Sequence, residues 1–208
     1  RVRPVQHPPL QVVLMAAGLG SRLGALTKDL PKALIEVGGE PLLAHGLRFA
    51  GLLRPREVIV VGGFGFLQVE QTLAELGAGA AGGAPIHLVE NANFRDGNLI
   101  SLLTARERLA GDFVLLNVDH IFRPAIADIV RAPVETITAH VDTDRTLGAD
   151  DMKVERDENG NVRRIAKTLE RWDCGYVGVT RVPALALPRY WQEADRALAE
   201  EGRAIHVE

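Results

Sequence analysis

Cysteine occurs once in 208 residues, as Cys174, so no internal disulfide can form. No Cys/His spacing of a zinc site accompanies it, and the chain suits a reducing compartment. A signal peptide and any apolar run of membrane-spanning length are also missing, which makes the cytoplasm the expected location. Positive charge is not in excess either: 24 Lys and Arg stand against 27 Asp and Glu, for a net charge of −3. Nucleic-acid backbones and anionic membrane surfaces call for a basic excess, so neither is expected as the main partner, and any positive charge that matters must be local. The chain has no G-x-x-x-x-G-K-[ST] loop, no nucleophile elbow and no internal repeat.

What is present is ordinary for a folded chain: 47% hydrophobic and 25% charged residues, long enough for one sizeable α/β domain over residues 1–208. Apolar runs alternate with amphipathic stretches, the pattern of a three-layer α/β/α, Rossmann-like domain with a mostly parallel sheet. Strands are expected at 11–16, 57–62, 85–90, 112–118, 134–141 and 174–180. Helices are expected at 41–53, 66–76, 98–110, 124–131 and 184–201, with Pro41 in a first turn. Ala204 to Val207 reads as the start of one more strand. Residues 77–84, G-A-G-A-A-G-G-A, read as a flexible surface connection that tolerates changes in length. Asn159-Gly160 is a hairpin turn signal between Met152, Val154 and Val162, Ile165, so a β-hairpin is added to the sheet as a lid or a dimer arm.

The most informative stretch runs from Leu10 to Lys32. An apolar run, Val12 to Met15, feeds a loop of small residues, Ala16, Ala17, Gly18, Leu19, Gly20 and Ser21, that ends in Arg22. Small residues let backbone N–H groups approach an anion closely, and Arg22 and Lys32 add the charge that several phosphates need. Ligands of open parallel sheets lie at the carboxyl ends of the strands, where this loop falls. Gly18, Gly20 and Gly24 are spaced G-x-G-x-x-x-G, which is not the dinucleotide fingerprint.

Leu14, Ala16, Ala17, Gly18, Gly20 and Arg22, followed by Pro31, Lys32 and Leu34, resemble the L-x-A-A-G-x-G-x-R and P-K-x-L signature of the nucleotidyltransferases. These enzymes load a phosphorylated alcohol or sugar onto a nucleoside monophosphate, and the likeness covers nearly the whole chain. It implies the fold of nucleotide-diphospho-sugar transferases, an NTP and a phospho-acceptor as small-molecule partners, and Mg²⁺ as cofactor.

Asp119 follows the Phe113–Leu116 run, and a carboxylate at a strand end facing a phosphate cradle is where Mg²⁺ would be held. Asp119-His120 with Phe122 and Pro124 matches the family's D-H-x-F-x-P, which implies Asp119 as metal ligand. His120 reads equally as an acceptor-phosphate contact or as packing. Asn91 to Leu102 resembles the family's base-pocket element, where Gly97, Asn98 and Ser101 can supply donors and acceptors; Asp96 or Asn98 can also cap the helix that opens there. Gly62-Gly63 is a further contact expected toward base or ribose. On the acceptor side Lys153 and Lys167 fall on the family's two lysines. Lys167 is expected to grip the acceptor phosphate and Lys153 to lie on a solvated strand face. Asp173 matches a D-x-G step, as a contact to metal or acceptor. The family pattern continues with W-x-D-x-D-T-x-x-D, whose first Asp completes the metal site, and the sequence to Glu208 contains no such motif.

The implied reaction is in-line attack of the acceptor phosphate on the α-phosphorus, with Arg22 on the leaving pyrophosphate and Lys32 on the α-phosphate. D-H-x-F-x-P, the K-V…I-x-K-x-L hairpin and D-x-G look most like the CTP:inositol-1-phosphate cytidylyltransferase branch, often fused to a membrane domain. Fusion to such a domain would place the chain at the inner face of the membrane. Choline-phosphate cytidylyltransferases are similar too and bind a quaternary ammonium in an aromatic cage; 5% aromatics mildly disfavors this reading, for which Phe94, Trp172 and Tyr176 would have to suffice. Sugar-1-phosphate transfer with UTP or GTP, and a silent nucleotide-binding regulatory domain, are the other readings.

Overall fold

The structure is a computed structural model that describes residues 9–20 and 29–202. Ser21, Arg22 and the strand expected from Ala204 lie outside the described residues. Strand β1, Gln11–Met15, is buried along its whole length because strands flank it on both sides and helices cover both faces. It pairs in parallel with β4, Glu57–Gly62, and with β6, Phe113–Asn117, setting Met15 opposite both Val61 and Asn117. β5, Ile86–Glu90, adds a parallel strand outside β4. A two-stranded ribbon, β2 (Glu36–Val37) and β3 (Glu40–Pro41), stands apart from this sheet.

Successive residues of a strand point to opposite faces, and the core divides accordingly. Val12, Leu14, Val58, Val60, Val114 and Leu116 meet α1, Leu42–Leu52, together with α2, Phe66–Leu76, and α4, Ala127–Arg131. Val13, Met15, Ile59, Val61, Phe113 and Leu115 meet α3, Asn98–Ala105, and α5, Leu187–Glu201. Each such side chain contributes roughly 1.5 to 3 kcal/mol when fully buried. This is the expected three-layer arrangement. No helix among the described residues is long and apolar enough to cross a membrane.

The other half of the sheet is antiparallel. β10, Cys174–Val182, runs against β6, with Val179 opposite Leu116. β7, Thr138–Asp142, lies along its other edge, also antiparallel. β8, Lys153–Arg156, and β9, Val162–Ala166, form the expected hairpin. Its turn uses Gly160 at φ 81, and the Asp157 carboxylate accepts from the N–H groups of Asn159 and Asn161. The hairpin joins the first residues of β10, Cys174 and Gly175.

Three local readings differ from expectation. Helix 98–110 ends as an α-helix at Ala105 and continues only as a 3-10 turn over Arg106–Arg108. The strand expected at 134–141 begins at Thr138. The small-residue segment 77–84 is the expected surface connection of turns, but it is pinned at one point: Ala81 is buried, and a Cβ on Gly51 would come within 2.6 Å of its carbonyl carbon. The lack of a side chain at Gly51 allows this close packing on α1, while Gly77, Gly79 and Gly83 face open space.

Candidate active site

The carboxyl ends of β1, β4, β5 and β6 come together on one edge of the sheet. Past β1 the chain is still held in the sheet, as the Ala16 N–H donates to the Val61 carbonyl at 2.9 Å and the Val118 N–H to the Met15 carbonyl at 3.3 Å. Ala16 and Ala17 are buried, so they form the floor of the loop and do not face a ligand with side chains. Gly18 is exposed, with open space where a Cβ would stand, and Leu19 and Gly20 are half-buried, Gly20 at φ 63.

Gly62 packs inward, because a Cβ there would meet Phe66 at 2.9 Å, and its carbonyl accepts the Asn91 N–H. Gly63 is the residue at the mouth. A Cβ on it would stand 2.5 Å from Phe94 and 2.9 Å from Ala17, so its lack of a side chain lets the loops after β1, β4 and β5 meet. Gly65, at φ 61, sits where a Cβ would strike Pro31 at 2.3 Å. The Lys32 turn is thereby seated on the β4–α2 loop, and Gln68 Nε2 donates to the Asp29 carbonyl at 3.2 Å beside it.

Gly97, at φ 87, precedes α3, whose first residue is Asn98. Ser101 is buried and its Oγ accepts from Asn91 Nδ2 at 2.8 Å, while Asn91 Oδ1 accepts the Asn93 N–H at 2.9 Å. Ser101 therefore braces the turn that presents Phe94, whose ring is 6.1 Å from Phe64. Asn91, which motif matching passed over as a role-bearing residue, is the center of this brace.

Lys32 and Asp119 form the electrostatic center. Lys32 opens a 3-10 turn anchored by buried Ala33 and Leu34, and its Nζ donates to Asp119 Oδ2. Asp119 Oδ1 lies 2.8 Å from His120 Nδ1. Burial alone would raise the Asp119 carboxyl, but the His120 hydrogen bond and the Lys32 charge outweigh it and hold the group well below the usual carboxylate range. Both partners stay open to solvent, with side-chain exposures of 29% and 32%. The His120 ring stacks on Phe122, 5.9 Å away, and Phe122 meets Phe49 at a 40° tilt, 4.7 Å away. Beneath it lies Gly178, at φ 73 in an irregular stretch of β10, where a Cβ would come within 2.8 Å of His120 Nδ1. Sequence reading had no signal for Gly178, since its use depends on a histidine from the loop after β6.

Of the residues expected to contact an acceptor, Lys167 has its Nζ 3.6 Å from Asp150. Asp173 Oδ2 accepts the Arg156 N–H at 2.8 Å, turned toward the hairpin. Lys153 is buried, against the expectation of a solvated strand face, because Trp172 covers it. Among the described residues no three His, Cys, Asp or Glu side chains gather as a metal cage. The residues present are compatible with Mg²⁺ in its other common mode, one or two carboxylates completed by water and substrate phosphates, in which the ionized Asp119 would be the protein's oxygen donor.

The family model described as "MobA-like NTP transferase domain" matches residues 12–204. A CMP-5'-(3-aminopropyl)phosphonate synthase from Streptomyces rubellomurinus is 38% identical over 128 residues, 61% of this chain and 20% of that one. A bifunctional IPC transferase and DIPP synthase from Rubrobacter xylanophilus is 36% identical over 92% of this chain and 45% of its own length. The chain thus spans less than half the length of either curated relative. Among solved structures, the inositol-1-phosphate CTP transferase from T. maritima superimposes with a TM-score of 0.71 at 20% identity, covering 97% of this chain and 79% of that one, a likeness of fold.

Proposed function

The chain belongs to the MobA-like NTP transferase domain family, and from that membership we propose that it condenses CTP with inositol 1-phosphate, giving the CDP-alcohol and pyrophosphate. The observation that carries the proposal is the Lys32–Asp119 pair, half-exposed at the strand ends beside the Ala16 to Gly20 loop. A phosphate monoester is already anionic near neutral pH, so the nucleophile needs no general base. One acceptor oxygen bonds the α-phosphorus in line as the α–β bridging bond breaks, and the electron pair leaves on pyrophosphate. Lys32 exchanges Asp119 for the α-phosphate and neutralizes charge as it shifts, while the backbone of Gly18 to Gly20, with Arg22 as the expected cation, faces the leaving group. Mg²⁺ held by Asp119 would supply charge neutralization between the two phosphates. Gly63, Phe94, Gly97 and Asn98 are the candidate base contacts, and His120, Lys167 and Asp173 the acceptor contacts. A fused membrane domain and a homodimer fit the same reading.

Pyrophosphate release with each of the four common NTPs tests this, against inositol 1-phosphate, phosphocholine, glucose 1-phosphate and an aminoalkylphosphonate. A signal confined to CTP and inositol 1-phosphate is expected. Preference for another pair moves the assignment to that acceptor, and tight nucleotide binding without release would make the chain a silent regulatory domain.

A further inference from the structure

β10 runs antiparallel to β6, so its residues before Gly178 extend past the strand end that bears Asp119 and His120. Gly175 stands three residues before Gly178, at most ~10 Å along the strand. Lys153 pairs with Gly175, and Trp172 stands just before β10. The hairpin and its tryptophan therefore flank the space an acceptor would fill once its phosphate lies near Asp119.

Lysine is seldom buried, yet Lys153 is only 8% exposed. Its ammonium donates to the Lys167 carbonyl at 2.7 Å and lies 4.9 Å from the center of the Trp172 ring. Asp151 is within electrostatic reach. Trp172 nevertheless keeps 45% of its surface in solvent, an aromatic platform beside the candidate site. The face of an indole draws a quaternary ammonium through its quadrupole. Here the protein's own cation already holds that attraction, and an incoming cation would meet the like charges of Lys153 and Lys167. A neutral polyhydroxy ring meets no such repulsion and can lay its C–H face on the indole.

We propose that Lys153 is a specificity-determining residue of the acceptor site: its ammonium occupies the Trp172 ring, so phospho-acceptors bearing a quaternary ammonium are refused and neutral polyhydroxy phosphates admitted. This rests on the nucleotidyltransferase reading, and the first measurement below does not depend on turnover.

Tetramethylammonium chloride is titrated against tryptophan fluorescence, with sodium chloride as control; Trp191 is buried, so the response reports Trp172. Wild type and Lys153→Arg should give no saturable change, Lys153→Met a saturable one, and Lys153→Met with Trp172→Leu none. In turnover with CTP, Lys153→Met should move the kcat/KM ratio of phosphocholine to inositol 1-phosphate upward by about 10-fold, and Lys153→Arg should leave it in place. Equal tetramethylammonium binding by wild type and Lys153→Met, or an unmoved ratio in a folded Lys153→Met, overturns the proposal. If Lys153→Met does not fold, Trp172→Leu decides, since a raised KM for inositol 1-phosphate is expected and an unchanged one refutes the platform. Expected titrations without turnover on any NTP would uphold the hold of Lys153 on the ring and sink the proposed function alone.

Discussion

Replacing Asp119 by asparagine separates what the carboxylate does for the fold from what it does for a bound nucleotide. Asparagine keeps the shape but removes the charge that Lys32 and His120 face. The Lys32–Asp119 pair is about 30% exposed on each side, where solvent screening limits an ion pair to ~0.2 to 1 kcal/mol. For a domain of this size each kcal/mol moves Tm by about 2 to 4 °C, so the melting temperature should fall by no more than about 4 °C. Loss of one preorganized charge at the reacting phosphates costs roughly 10² to 10³ in rate. Metal-free CTP binding should go the other way. Lys32 no longer has to leave a carboxylate, so affinity should hold or tighten by up to about fivefold, the equivalent of 1 kcal/mol. Calorimetric melting, pyrophosphate release and metal-free CTP titration on one preparation read all three. The folded carboxyl lies below its unfolded value near ~3.9, so its stabilization is present above that value and is lost only as pH falls through the depressed folded one. The part of the stability gap that the Asp119 carboxyl's own titration contributes should therefore be flat above about pH 5. Turnover within about threefold of wild type, or a collapse of metal-free CTP binding, would refute the reasoning.

Three further outcomes follow from other parts of the molecule. Gly178→Ala puts an L residue at φ 73 and a Cβ 2.8 Å from His120 Nδ1; it should cost about 1 to 2 kcal/mol in urea melts and lower kcat by a larger factor than Tm alone explains. Burial, with the Arg181 charge behind it, lowers the pKa of His140, so wild type should lose stability as pH falls below about 6.5, and His140→Gln should flatten that slope in denaturant midpoints measured between pH 5 and 8. Arg181→Met strands buried Asp112, which accepts from Arg181 at 3.0 Å and from the Ala184 N–H at 2.8 Å. It should cost roughly 3 to 5 kcal/mol by equilibrium unfolding. The kcat of the folded fraction should not change, because Asp112 precedes β6 at the end opposite the site.

The parallel half of the sheet was plain in the residue pattern because strands buried on both faces read as unbroken apolar runs, as Val12 to Met15 and Phe113 to Leu116 do. The hairpin was equally plain from Asn159-Gly160. Lys153 was misread because a short K-V-E-R strand looks amphipathic, and the Trp172 that covers it arrives from another part of the chain. Ser101 looked like a base contact from its spacing, yet its hydroxyl is engaged by Asn91. Of the paired glycines after β4, the one that matters at the mouth is set by which loops converge on it, and that cannot be counted along a motif.

Residue order alone determined the alternation of strands and helices, the small-residue loop after β1 and the stock of charges at strand ends, since these follow from periodicity and backbone sterics within a few neighbors. Which charges meet was decided only in three dimensions. Lys32 and Asp119 are 87 positions apart, and they touch because β1 and β6 pair in register and because Gly65 lets Pro31 seat the lysine turn. Side-chain encounters of that kind depend on strand order and close packing, which no local pattern of residue types carries.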